Sequence, residues 1–223
     1  FEFHMELSTR PEKAIGSEKM WDKAEGALKK VLENAKINYK LNPGDGAFYG
    51  PKIDLHVKDA IGRTWQCATI QLDFNLPEKF NLLYDGQDGK KHKCVVIHRA
   101  ILGSVERFLG VLTEHYTGRF PLWLNPNQIK VVPIADRHIK YCEKVAEKFL
   151  DNGFSVEINI ESDTTNKKIR EAQMQQFNYI LVVGDREIKN KTVNVRTREE
   201  KILGEKKVDN LIKQLIKEIE WKK

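Results

Sequence analysis

The chain opens on "FEFHMEL", where apolar and polar residues alternate with the period of two expected of a half-buried strand. From residue 17 the period lengthens. Trp21, Ala24, Leu28, Val31 and Leu32 recur at helical spacing, and Ser17 stands where an N-cap belongs. Short apolar runs follow: "PKIDLHV", "TWQCATIQLDF", "FNLLY" and "KCVVIH", separated by the turn formers "IGR", "NLPE" and "DGQDGKK". Links this short favour antiparallel neighbours. A second helix is predicted over 104–116, with Val105, Phe108, Leu109, Leu112 and Tyr116 as its apolar stripe. Ser104, Arg107 and Glu114 fall on its other side, beside Gly110.

Beyond the Pro- and Asn-rich "GRFPLWLNPNQ" the pattern changes. A strand "IKVVPIA" leads into a helix carrying Ile139, Cys142, Val145, Ala146 and Phe149 on one face. "FSVEINI", a short helix "NKKIREAQMQQ", a strand "YILVVG", a turn "GDREIKNK" and a strand "TVNVRT" follow. A last helix carries Val208, Leu211, Ile212, Leu215 and Ile219. Strands alternating with helices predict a small α/β domain with a partly parallel sheet. The expectation is an α+β chain of two domains, residues 1–125 with an antiparallel sheet and flanking helices, and residues 126–223 of α/β type.

Composition and charge refine this picture. A length of 223 residues and 40% hydrophobic content suit two ordinary globular domains. No apolar run approaches the ~18–20 residues of a membrane-spanning helix. Cys67, Cys94 and Cys142 are isolated, without Cys-x-x-Cys spacing, which points to a reducing compartment and no disulfide framework. The formal charge of +6 permits a polyanionic partner without requiring one. The first residues lack an initiator Met and a signal sequence, so a fragment of a larger fold is expected.

Candidate chemistry sits at a few polar intrusions. In "VVIHRAILGSVERF", Arg107 occupies the first turn of the predicted helix, where the dipole already favours anions. A phosphate would explain it, and so would pairing with Glu106 or Glu114. His98 ends an apolar run, and neither Cys67 nor Cys94 is spaced to join it in a metal site. Gly44, Gly46 and Gly50 surround Phe48, Tyr49 and Lys52; such density marks either a turn or a close approach to a ligand. If the strand 64–74 is regular, Gln66, Ala68, Ile70 and Leu72 share one face. Cys67, Thr69, Gln71 and Asp73 then share the other. Two basic clusters, Lys167, Lys168 and Arg170 with Arg186, Lys189, Lys191, Arg196 and Arg198, suit a phosphate backbone or a solvated surface. Arg99 has no evident role.

Taken together, "LSTRPEKAIGS", "GDGAFYGPKIDLH", "QCATIQLDF", "HRAILGSVERFLGVLTEHYTGRFPLWLNP", "NYILVVGDREI" and "VNVRTR" resemble the threonyl-tRNA synthetases over essentially the whole chain. The resemblance implies the C-terminal part of a class II catalytic domain followed by an anticodon-binding domain. It implies that Arg107 holds the ATP γ-phosphate and that Gln66 and Thr69 contact adenosine. Tyr49, Gln71 and Ser104 would surround threonine, with Lys52 near the reacting carboxylate and α-phosphate. His98 would be one of three zinc ligands, and Mg²⁺ would accompany ATP. Arg186, Glu187 and Arg196 would read anticodon bases. The activity implied is a threonine–tRNA ligase acting on ATP, L-threonine and tRNA(Thr), homodimeric at full length and without a membrane partner. Motif 1, the motif 2 arginine and two further zinc ligands have no counterpart in this sequence, which leaves a non-catalytic tRNA-binding module as the alternative.

Overall fold

The computed structural model describes residues 1–222, which separate into two compact units, Phe1–His115 and a second that begins at Tyr116. In the first, strands β1 (Phe3–Ser8), β2 (Tyr39–Asn42), β3 (Lys52–Lys58), β4 (Thr64–Asp73) and β7 (Val96–Ala100) form one sheet ordered β2-β1-β3-β4-β7. The β1–β2 pair is parallel and the other pairs are antiparallel. A separate hairpin joins β5 (Leu83–Asp85) to β6 (Lys91–Lys93), so "KCVVIH" divides between two strands instead of forming one. "NLPE", expected as a turn, lies in a short helix α2 (Asn75–Lys79).

One sheet face is apolar and carries two helices. Helix α1 (Glu18–Asn34) starts where expected, the Ser17 hydroxyl accepting a hydrogen bond from the Met20 N–H. Its Leu28 and Leu32 pack on Leu7 and Ile53, whereas Val31, one position off the stripe, is exposed. Helix α3 (Val105–Tyr116) departs from the sequence reading. Val111 is its buried residue and Phe108 packs beside it, while Val105 and Leu109 face outward. The helix is turned by roughly a quarter turn from the predicted stripe. Phe108 and Val111 fill the cluster formed by Val57 and Cys67, and this brings Arg107 toward the sheet.

In the second unit β8 (Ile129–Pro133), β9 (Val156–Ile158), β10 (Tyr179–Val183), β11 (Thr192–Thr197) and β12 (Ile202–Lys207) form a sheet ordered β12-β11-β10-β8-β9. β9, β8 and β10 run parallel, and β11 and β12 are antiparallel additions. The parallel strands β8 and β10 are buried along their whole length, as covering on both faces demands. Helices α4 (Ile139–Asp151) and α7 (Val208–Glu220) cover one face through Cys142, Val145, Phe149, Leu211, Ile212 and Leu215. Helix α5 (Thr165–Met174) covers the other with Ile169 and Ala172 against Val132, Ile180 and Val182.

Two elements here escaped the sequence reading. "GDREIKNK" is a helix, α6 (Asp185–Asn190), closed by Lys191 in the left-handed region. β12 is an edge strand whose charged sequence hides its pairing; lysines at edges are a common guard against further strand addition.

The thiols yield a first prediction. Burial pushes Cys142 up to about 12 and raises Cys67 as well. Cys94 is half-buried. Iodoacetamide at pH 8 is expected to label Cys94 first and Cys142 only after unfolding. Peptide mass spectrometry reads the order, and early labelling of Cys142 would contradict this packing.

Candidate functional site

The face of the first sheet opposite α1 and α3 is polar. Register places Ser8, Lys52, Gln71 and His98 in one cross-strand row, and Glu6, Asp54, Thr69 and Ala100 in the next. Gln66 joins this face because β4 is not regular. Leu55 pairs with Ala68 but His56 pairs with Gln66, so Cys67 is bulged out of the ladder. Cys67 then drops into the apolar cluster with Val57 and Val111, and Gln66 moves beside Asp54. The predicted sharing of faces is therefore corrected for Gln66 and Cys67, and stands for Thr69, Gln71 and Asp73.

Three linked groups occupy this face. Asp54 is buried and accepts from Lys52 Nζ at 2.8 Å and Gln66 Nε2 at 2.6 Å, while Asp45 meets Lys52 from the loop at 3.1 Å. Burial disfavours the Lys52 ammonium, but the hydrogen bonds and charges of Asp54 and Asp45 outweigh it and raise its pKa. Next, the Tyr49 hydroxyl donates to Gln71 Oε1 at 2.9 Å, and the Tyr49 ring meets His98 edge-on. Finally, His98 Nε2 lies 2.8 Å from Asp73 Oδ2. Asp73 Oδ1 accepts from the N–H groups of Asn75 and Leu76. Burial opposes ionisation of Asp73, yet these bonds hold its pKa below the ordinary value.

The loop glycines serve this site indirectly. A Cβ on Gly50 would stand 1.9 Å from the Leu72 carbonyl oxygen, so Gly50 lets the loop press against β4 and aim Tyr49 at Gln71. Its close approach is to the chain itself. Arg107 reaches the Gln66 carbonyl with Nη1 at 3.1 Å. Ser104 Oγ accepts from the Arg107 N–H and acts as the cap of α3. The Thr69 hydroxyl is buried and has no hydrogen-bond partner among the described residues.

Sequence reasoning passed over Asp54, although "KID" places it two residues from Lys52 and hence on the same strand face. Asp45 carried no such signal. Arg99 pairs with Ile70 in the ladder and is exposed; nothing in the structure gives it a role.

In the second unit Arg186 is exposed and ion-paired to Glu205 at 3.0 Å. Glu187 is buried, its carboxylate accepting from the Gly184 N–H at 2.9 Å to close the start of α6. Arg196 and Asn194 share one face of β11; Arg196 Nε and Asn194 Oδ1 are buried without partners among the described residues. The basic clusters are thinner than the sequence suggested. Lys168 is buried, Lys167 pairs with Asp163, and Arg198 donates to the carbonyls of Phe120 and Arg119.

A polar antiparallel face backed by helices, followed by an α/β unit, matches two known domains. The tRNA synthetase class II core domain (G, H, P, S and T) matches residues 3–116, and an anticodon binding domain matches residues 128–218. The chain belongs to the class II aminoacyl-tRNA synthetases. Among curated relatives of this synthetase chain, the threonine–tRNA ligase of Carboxydothermus hydrogenoformans is 52% identical over 223 residues, covering 100% of this chain and 35% of the relative. That of Caldanaerobacter subterraneus subsp. tengcongensis is 50% identical over 222 residues, covering 100% and 34%. The RNA binding domain of threonyl-tRNA synthetase from Cryptosporidium parvum superposes with a TM-score of 0.88 at 44% identity, covering 97% of this chain and 55% of that one. The chain thus spans about a third of the length of the curated relatives it matches.

The zinc implied for His98 can be tested against its surroundings. A catalytic zinc takes about three protein ligands. Among the described residues His98 meets one carboxylate, Asp73, and the one three-membered cluster with metal-ligand spacing, Glu161, Asp163 and Glu171, lies in the other unit. The residues present do not complete a zinc site.

Proposed function

We propose that the chain supplies the C-terminal part of the catalytic domain, residues 1–125, and the anticodon-binding domain, residues 126–223, of a threonine–tRNA ligase. The ligase would activate L-threonine with ATP to threonyl-adenylate and transfer it to the 3′ end of tRNA(Thr). The observation that carries this reading is identity of about half to threonine–tRNA ligases along the whole chain.

On this reading Arg107 meets the γ-phosphate of ATP; Nη1 takes the Gln66 carbonyl and the remaining donors stay available for an anion. Lys52, held protonated by Asp54 and Asp45, neutralises charge where the threonine carboxylate attacks the α-phosphorus and pyrophosphate departs. Gln66 and the unpartnered Thr69 hydroxyl face the adenosine. Tyr49 and Gln71, fixed by their mutual hydrogen bond, line the threonine pocket with Ser104 at its side. Mg²⁺ accompanying ATP would add phosphate charge neutralisation. No step runs through zinc, for which the described residues of this face offer His98 without a completing ligand set. Such catalysis combines orientation of the two reactants with neutralisation of phosphate charge.

The test is ATP–pyrophosphate exchange by the full-length protein, expected to depend on threonine; preference for proline or serine would overturn the assignment. For the second unit, Arg196 has an Nε without a partner among the described residues, and Arg186 and Glu187 lie in the first turn of α6. Arg196→Ala is expected to weaken tRNA binding by about 1–3 kcal/mol while leaving threonine-dependent exchange unchanged. Filter binding and exchange assays read the two effects. Equal loss in both would remove the separate anticodon role.

A further inference from the structure

Arg107 is an exposed side chain with many rotamers, yet a γ-phosphate ligand needs one orientation. Its surroundings hold it from two directions. Nη1 donates to the Gln66 carbonyl, and the guanidinium carbon lies 5.7 Å from the centroid of the Trp65 ring, over its face. Trp65 in turn is half-buried against the Val57, Cys67 and Val111 cluster. Its indole N–H donates to Asp59 Oδ2 at 2.9 Å.

Asp59 is buried and fully engaged. Oδ1 accepts from the N–H groups of Ile61 and Arg63, and Oδ2 accepts from Arg63 Nε at 2.6 Å as well as from Trp65. The hydrogen bond from Trp65, then those from Arg63 and Ile61, outweigh burial and hold this carboxyl well below the usual range. Arg63 also lies over the Trp65 ring, at 5.4 Å, and extends toward Glu114. Trp65, Arg107, Glu106 and Glu114 line one hollow of about 340 Å³, and among the described residues Arg107 forms no ion pair with either glutamate, so the aromatic face is what it rests on.

We propose that Asp59 and Trp65 are positioning residues for ATP, Asp59 fixing the indole and the indole fixing the Arg107 guanidinium. This rests on the reading of Arg107 as the γ-phosphate ligand. Neither residue touches substrate; both act through Arg107.

The test uses the full-length protein and compares Trp65→Leu, Trp65→Phe and Arg107→Ala in threonine-dependent exchange. Trp65→Leu removes the aromatic face and is expected to raise KM for ATP about 3- to 10-fold. KM for threonine should stay within about twofold, which a general loss of packing would not produce. Trp65→Phe keeps a ring in the apolar cluster but loses the bond to Asp59, so it should fold and give a smaller rise of the same kind. Unchanged ATP dependence in both Trp65 variants, with Arg107→Ala impaired, would overturn the positioning role alone. Unchanged ATP dependence in Arg107→Ala would overturn both it and the reading beneath it.

Discussion

Arg107→Ala in the full-length protein is expected to lower threonine-dependent ATP–pyrophosphate exchange by about 10²–10³-fold, the loss that follows removal of one preorganised charge-stabilising donor. Arg107 is exposed, and its contacts are one carbonyl and one aromatic face, so its removal costs the fold little. What disappears is a guanidinium held at the carbonyl of Gln66, whose side chain joins Asp54 and Lys52 on the polar face. Arg107→Lys should not restore activity, because an ammonium lacks the planar fork that grips a carbonyl and an anion at once. Binding of tRNA, measured on the same preparation, should remain. Exchange within tenfold of the unmodified protein would contradict the assignment of Arg107 to the nucleotide.

Much of this site could be read from the chain because its scaffold follows simple periods. The apolar runs of β3, β4 and β8, the Ser17 cap and the stripe of α7 each sit where spacing puts them. What escaped depends on partners that spacing does not contain. The β4 bulge is set by how β3 meets it, and a single unpaired residue exchanges the faces of Gln66 and Cys67. Helix α3 has two apolar flanks, and only the Val57–Cys67 cluster decides which one faces inward. Helix α6 looked like a turn because its glycine and charges are turn formers; the Glu187 carboxylate closing on Gly184 makes it a helix. His98 illustrates the limit of motif reading. Its family role is stated in the resemblance, but the partner the structure gives it is Asp73.

Asp54→Ala is expected to be the most damaging single change in the first unit, and for two reasons that can be separated. Asp54 is the buried partner of Lys52 and Gln66, and removing it strands a half-buried ammonium. Breaking such a pair costs about 3–5 kcal/mol; the lower end is expected here because Asp45 still reaches Lys52 at 3.1 Å. Asp45 is exposed, so it compensates only in part. With a urea slope of about 1–3 kcal/mol/M, the unfolding midpoint of this unit should fall by roughly 1 M or more. The sign of the pH dependence follows from Lys52. Its pKa is raised on folding, so the pair's contribution is full below the ordinary lysine pKa of about 10.4 and is lost as pH rises through the higher folded value. The difference between unmodified protein and variant should therefore be the same at pH 7 and pH 9. Asp54→Asn keeps an acceptor for Lys52 and Gln66 and should recover much of the stability. If Lys52 must be held charged and in place at the α-phosphate, Asp54→Asn will still be slow in exchange while folded. Full activity in that variant would make Asp54 a packing residue and remove Lys52 from the reaction.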